Sequence, residues 1–255
     1  MNQGLNRRID LLQVQVFPSR MAMGRAAGKA IVDKINYLHQ TKAILRIIFA
    51  AAPSQNEVLA YLVADKSIAW SRIDVFHMDE YIGLPAGAPQ RFSSFLMDSL
   101  FSKVKPRNVN LIVELNGVET TCKEYAALLN SEPIDIVCLG IGENGHIAFN
   151  DPPVADFNDP ETVKIVTLDD ACRIQQVNDG CFPDFDAVPQ HALTLTIPAL
   201  MSGNYLFCVV PGKTKSQAIK NVLTGPITTA WPASILRQHL DCILFTDQDA
   251  YSLVP

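Results

Sequence analysis

Ala43-Ile44-Leu45-Arg46-Ile47-Ile48-Phe49-Ala50-Ala51-Ala52 is a near-continuous apolar run rich in isoleucine, with no alternation of polar residues. Such a run reads as a strand covered on both faces, as in a parallel sheet flanked by helices. Directly after it, Ser54-Gln55-Asn56-Glu57 has the S-x-x-E spacing of a capping box and is expected to open a helix over 58–64. The strand–turn–helix order sets the reading for the rest of the chain.

Working outward, the alternation continues in both directions. Ile31, Ile35 and Leu38 recur at helical spacing behind Pro18-Ser19, which predicts a helix over 21–39. Downstream, 73–78 reads as a strand, 93–101 as a helix, 109–113 as a short strand and 120–130 as a helix. The strand over 134–139 ends in a glycine-rich loop. A strand over 205–210, helices over 214–223 and 233–238, and a strand over 242–246 complete the series. Strands alternating with helices at this spacing mean βαβ units, so the fold class is α/β with a mostly parallel sheet and helices on both faces. No repeat, linker or shift of composition divides the chain, and residues 1–255 read as a single domain.

Composition narrows the function classes. Acids outnumber bases by 26 to 21 in 255 residues, a net charge of −5, which argues against a nucleic-acid-binding surface. With 48% hydrophobic and 18% charged residues, the chain has the makings of a large core and not of a disordered protein. The longest stretch without a formal charge, 187–212, contains Gln190, His191, Pro198, Ser202, Gly203 and Asn204. It reads as two buried segments joined by a turn rather than a membrane span. No apolar run backs the basic pair Arg7-Arg8, so no signal peptide is expected. The six cysteines show no C-x-x-C and read as reduced core thiols of a cytoplasmic protein; their spacing supports no zinc site.

In a parallel sheet, ligands bind beyond the carboxyl ends of the strands. Three loops there carry chemistry. His77-Met78-Asp79-Glu80-Tyr81-Ile82-Gly83-Leu84 puts two carboxylates after a strand, and a partly buried carboxylate can shuttle a proton between adjacent carbons. Gly140 to Pro152 contains G-x-G-x-x-G, but Phe149-Asn150-Asp151-Pro152-Pro153 follows where a dinucleotide-binding helix should run, so no dinucleotide site is expected. In that loop His146 and Asp151 are spaced for a paired acid/base role. Pro211-Gly212-Lys213-Thr214-Lys215-Ser216 places lysines at a helix start, a setting suited to phosphate.

Together, Met78-Asp79-Glu80-Tyr81-x-Gly83-Leu84 and Gly140-x-Gly142-x-x-Gly145-His146-Ile147-Ala148-Phe149-Asn150 resemble the glucosamine-6-phosphate deaminase (isomerase) family. Val188-Pro189-x-x-Ala192-Leu193-Thr194 resembles a further segment of it, and the similarity spans nearly the whole chain. The resemblance implies a three-layer α/β/α, Rossmann-like fold. It implies conversion of D-glucosamine 6-phosphate and water to fructose 6-phosphate and ammonia, with no metal or organic cofactor. Carried over residue by residue, it makes Asp79 the base that moves the C2 proton to C1. His146 would assist ring opening with Asp151 in the relay, and Asn144, where some members have aspartate, would orient by hydrogen bonds. Lys215 would hold the phosphate, helped by Ser54, Gln55 and Asn56, with Gly142 and Gly145 lining the substrate.

The chain also departs from the family pattern. Ala52-Pro53-Ser54-Gln55-Asn56 stands where a Gly- and Thr-rich phosphate loop is usual. Asp151 replaces a glutamate, and an arginine used near the phosphate has no secure match, although Arg173 is near in sequence. A 6-phosphogluconolactonase-like hydrolase and a non-catalytic sugar-phosphate-binding protein remain alternatives. The choice between glucosamine and galactosamine 6-phosphate, the allosteric behaviour and a possible homo-oligomeric state are open at this level.

Overall fold

In the computed structural model, which describes residues 5–114 and 117–255, the apolar run becomes β3 (Leu45–Phe49), buried at every residue. Residues 1–4, the first half of the N-terminal segment judged to lack a signal peptide, lie outside the described residues. β3 is buried because parallel neighbours flank it and helices cover both its faces. β4 (Ile73–His77) pairs on one side and β7 (Ile136–Leu139) on the other. Its side chains alternate between two cores. Leu45, Ile47 and Phe49 join Met23, Ile31, Val58 and Leu62, whereas Ile48 joins Tyr125, Leu129, Ile219 and Val222.

Those partners identify the outer layers. α1 (Arg20–Leu38), α2 (Asn56–Ala64) and α3 (Phe92–Leu96) cover one face. α3 continues through a π-type turn at Met97–Phe101 into α4 (Ser102–Val104), so the helix expected over 93–101 is irregular. α5 (Val118–Asn130), α7 (Ile197–Met201) and α8 (Ser216–Thr224) cover the other face, and α6 (Asp170–Asn178) lies at the cleft end of the sheet. The segment expected as a helix over 233–238 is a 3-10 turn, Pro232–Gln238. α9 (Gln248–Tyr251) closes the chain, with Asp247 as its N-cap.

The main sheet runs β1 (Leu5–Ile9), β2 (Leu12–Phe17), β11 (Cys242–Asp247), β10 (Tyr205–Val210), β7, β3, β4, β6 (Asn108–Asn110). All neighbours are parallel except the β1–β2 hairpin. A second sheet, antiparallel and three-stranded, is ordered β5 (Asp79–Tyr81), β9 (His191–Leu195), β8 (Val163–Thr167). The hairpin and the small sheet escape the apolar-run signal, because their strands are short or interrupted by polar residues. The charge-free stretch 187–212 resolves into β9, α7 and β10, so a short helix stands where a turn was expected. Among the described residues no helix is long and apolar enough to cross a membrane.

Candidate active site

β3 and β7 are neighbours, yet the main sheet continues from β3 to β4 and from β7 to β10. The chain thus leaves this pair in opposite directions, and a crevice opens at the carboxyl ends, where sheets of this kind place ligands. Here the crevice is a cleft of about 590 Å³, a size suited to a small metabolite. All three loops singled out in the sequence contribute to its wall.

The adjacent carboxylates Asp79 and Glu80 part company there. β5 is a strand, so successive side chains point to opposite faces. Glu80 turns inward to the start of α3. It accepts hydrogen bonds from the N–H groups of Tyr81 (3.0 Å), Phe92 (3.1 Å) and Ser93 (3.0 Å) and from the Ser93 hydroxyl (2.6 Å), with Arg91 Nε 3.5 Å away. It anchors the helix N-terminus and has no free lone pair to offer a substrate. Asp79 instead lines the cleft, 6% exposed, and accepts no hydrogen bond from the described residues. Burial, with the nearby Glu80 charge in second place, pushes its pKa well above the usual carboxylate range.

The glycine-rich loop is bonded throughout. Gly142 N–H donates to the His146 carbonyl (2.9 Å), and Gly145 N–H to the Gly142 carbonyl (3.0 Å). A Cβ on Gly142 would stand 2.2 Å from the His146 ring, so the imidazole can lie over this backbone only if residue 142 is glycine. Gly145 has φ +83° and packs against Trp231, outside the cleft lining. The expectation that Gly145 contacts substrate therefore gives way to a structural role.

His146 lines the cleft, and its Nδ1 stands 2.8 Å from Asp151 Oδ1, off the best N–H line. Asn144 serves both partners. Its Oδ1 accepts the His146 N–H (3.1 Å) and its Nδ2 donates to Asp151 Oδ1 (3.0 Å) and to Asp169 Oδ2 (3.3 Å). Asp169 N–H donates to the second Asp151 oxygen (3.2 Å). Burial by itself would raise the pKa of Asp151, but the imidazole and these donors outweigh it and hold the carboxyl below the usual range.

The third wall is cationic. Lys215 is buried, lines the cleft, and its ammonium has no hydrogen-bond or ion-pair partner among the described residues. Burial lowers its pKa, and the more distant charges of Asp179, in the cleft wall, and Glu143 offset this only in part. Ser54 lines the same cleft. Gln55 and Asn56 do not. Gln55 is buried with its amide donating to Ser54 Oγ (3.1 Å) and reaching the ends of β7 and β10 at Leu139 and Val209, each 3.4 Å. Asn56 is exposed on the outer side. No capping box forms, because Pro53 already begins the turn and Ser54 lies inside it, while Glu57 pairs with Arg20 at 2.6 Å.

The cleft also holds polar residues outside the expected site set, Arg20 and Gln176 among them. Arg20, the first residue of α1, lines it beside Ser54, tied by Nη2 to the Pro53 carbonyl. Gln176 on α6 lines it as well, with no side-chain partner among the described residues. Nothing in the local sequence marks either; the only signal for Arg20 was its place just behind the Pro18-Ser19 helix start. Arg173, noted for its nearness in sequence, donates to the Phe185 and Val188 carbonyls (2.9 Å each) and lies over the Phe185 ring, away from the cleft.

Comparison with known proteins gives a consistent result. A family model described as glucosamine-6-phosphate isomerases/6-phosphogluconolactonase matches residues 18–244. Glucosamine-6-phosphate deaminases of Bacillus thuringiensis (strain Al Hakam) and Bacillus cereus (strain AH820) are each 34% identical over 184 residues, 72% of this chain and 68% of theirs. Among solved structures, a monomeric glucosamine-6-phosphate deaminase superposes with a TM-score of 0.85 at 28% identity, covering 94% of this chain and 99% of its own. A 6-phosphogluconolactonase from Thermotoga maritima shares the fold, with a TM-score of 0.75 at 22% identity over 92% of this chain and 98% of its own.

Proposed function

The chain belongs to the glucosamine-6-phosphate isomerase/6-phosphogluconolactonase family, and we propose that within it the chain is a deaminating isomerase. It converts D-glucosamine 6-phosphate and water to D-fructose 6-phosphate and ammonia. The observation that carries this reading is Asp79, a cleft carboxylate with no donor among the described residues, in the same cavity as an imidazole–carboxylate pair and an ammonium without a partner among those residues.

Lys215 takes the phosphate, and Ser54 and Arg20 also line the cleft. His146, held by Asp151 and Asn144, moves the anomeric proton and opens the ring. Asp151 stays ionised and fixes the imidazole, as in other His–carboxylate pairs. Asp79 then removes the C2 proton and returns it at C1 through an enolamine; hydration at C2 releases ammonia. A proton passing between neighbouring carbons needs one carboxylate that serves both ends, ionised when it acts and with no internal donor tying it down. The raised pKa of Asp79 makes it a stronger base once ionised, and places the acid limb of the rate profile above the range of an ordinary aspartate. The six unpaired thiols fit a reducing cytoplasmic setting.

The test is ammonia release from glucosamine 6-phosphate, run beside hydrolysis of 6-phosphogluconolactone. Ammonia with no lactone hydrolysis is expected. Lactone turnover alone would make the chain a hydrolase, and tight sugar-phosphate binding without turnover of either would make it a sensor.

A further inference from the structure

His146, Asp151 and Cys172 come from separate segments, the glycine-rich loop and α6. One donor atom of each nevertheless lies within 4.8 Å of the other two, and all three residues are buried. Imidazole nitrogen, carboxylate oxygen and thiol sulfur form a donor set that zinc-class divalent ions favour. The imidazole adds an independent observation. Nδ1 is closed to solvent and makes no well-directed hydrogen bond, although the Asp151 oxygen is near. On their outer side, Asn144 Nδ2 and Asp169 N–H orient the carboxylate, as outer partners orient metal ligands. Local spacing does not reveal the cluster, because its third member lies on another element.

We propose that His146, Asp151 and Cys172 form a binding site for Zn²⁺ or a cation of its class, set behind the imidazole, and that occupancy switches catalysis off. The second half rests on the reading of His146 as the ring-opening group. A metal on Nδ1 leaves the single ring proton on Nε2, the nitrogen on the cleft side. Nε2 then has no lone pair with which to take the anomeric proton. Asp151 becomes a ligand in place of its role beside the imidazole, and Cys172 releases its thiol proton to solvent as the sulfur binds. Tetrahedral zinc, with ligands at about 2.0–2.3 Å, needs donors roughly 3.3–3.6 Å apart, so side-chain shifts of about an ångström complete the site.

Cobalt(II) titration of the whole protein tests the site without reference to activity. A thiolate-to-cobalt absorption band is expected in the near ultraviolet, displaced by Zn²⁺, and absent in Cys172→Ala and in Cys172→Ser. Zn²⁺ affinity should fall more than about tenfold in those variants. No thiolate band, or Zn²⁺ binding equal in wild type and both variants, overturns the site. Turnover of the cyclic substrate should stop as Zn²⁺ saturates and return with a chelator, while turnover of an open-chain analogue suffers much less. A saturated site with cyclic turnover intact overturns the switch and the ring-opening role of His146, and leaves the metal site standing.

Discussion

Asp79 and Asp151 are both buried carboxylates near one cleft, and they are tuned in opposite directions. Asp151 sits in the glycine-rich loop beside the His146 imidazole, with donors from Asn144 and Asp169, and its pKa is held low. Asp79 sits on a strand of the small sheet with no donor among the described residues, and its pKa is driven up. Burial is common to both, so burial does not set the sign; the neighbouring charge, an imidazole for Asp151 and a carboxylate for Asp79, sets it together with the hydrogen-bond donors. Glu80 sharpens the lesson. One residue from Asp79, it receives four hydrogen bonds and becomes a structural anchor.

Removing the unpaired carboxylate should give the largest effect. Asp79→Asn is expected to slow exchange of the substrate C2 proton with solvent by about 10²–10⁴, with binding kept within a few-fold. Proton NMR in deuterated buffer measures the exchange, and a normal rate would remove Asp79 from the role of base. The paired site should fail differently. His146→Gln is expected to slow the cyclic substrate by about 10² or more while an open-chain analogue is affected much less, and Asp151→Asn should show the same selectivity more weakly. Equal losses on both substrates would assign the pair to the C1–C2 step or to loop architecture.

On the cationic wall, Lys215→Ala should weaken binding of the phosphorylated sugar by about 1.5–3 kcal/mol and hardly change binding of the unphosphorylated sugar. Arg20→Ala, already engaged by Glu57 and half-exposed, should cost about 1 kcal/mol with the same phosphate dependence. Calorimetry on the sugar pair reads both, and equal losses for the two sugars would mean a structural role.

The smallest effect is in stability and carries opposite signs. The folded state raises the pKa of Asp79, so its contribution is most favourable below the ordinary aspartate pKa and is lost as pH climbs toward the folded value. Asp79→Asn should therefore gain in Tm over wild type as pH rises to neutrality. Asp151 is lowered, so its stabilisation is present above the ordinary pKa and lost as pH falls through the folded value. Asp151→Asn should lose Tm at neutral pH and converge on wild type in acid. For a chain of this size, each kcal/mol corresponds to about 2–4 °C. Parallel Tm curves for the two variants across pH would erase the contrast between the carboxylates.

The parallel sheet was legible because strands buried on both faces are predominantly apolar, with few polar residues such as Arg46 and Asp74 among them. β3, β4, β7, β10 and β11 each announced themselves by composition, and loops at their carboxyl ends carried Asp79, His146, Asp151 and Lys215 within readable motifs. His146 and Asp151 could be paired on paper because the loop that joins them is short. The β1–β2 hairpin and the small sheet were not legible, since their strands are short or carry polar residues and so share their composition with loops.

Sequence by itself determined which residue types stand at the strand ends, because local spacing and strand burial fix them. Only the tertiary structure decided which way those residues face and what else reaches them. The turn begun by Pro53 puts Ser54 in the cleft and takes Gln55 and Asn56 out of it. Packing of α1 and α6 over the crevice brings in Arg20, Gln176 and Cys172, residues whose neighbours are distant along the chain and close only once the layers have met.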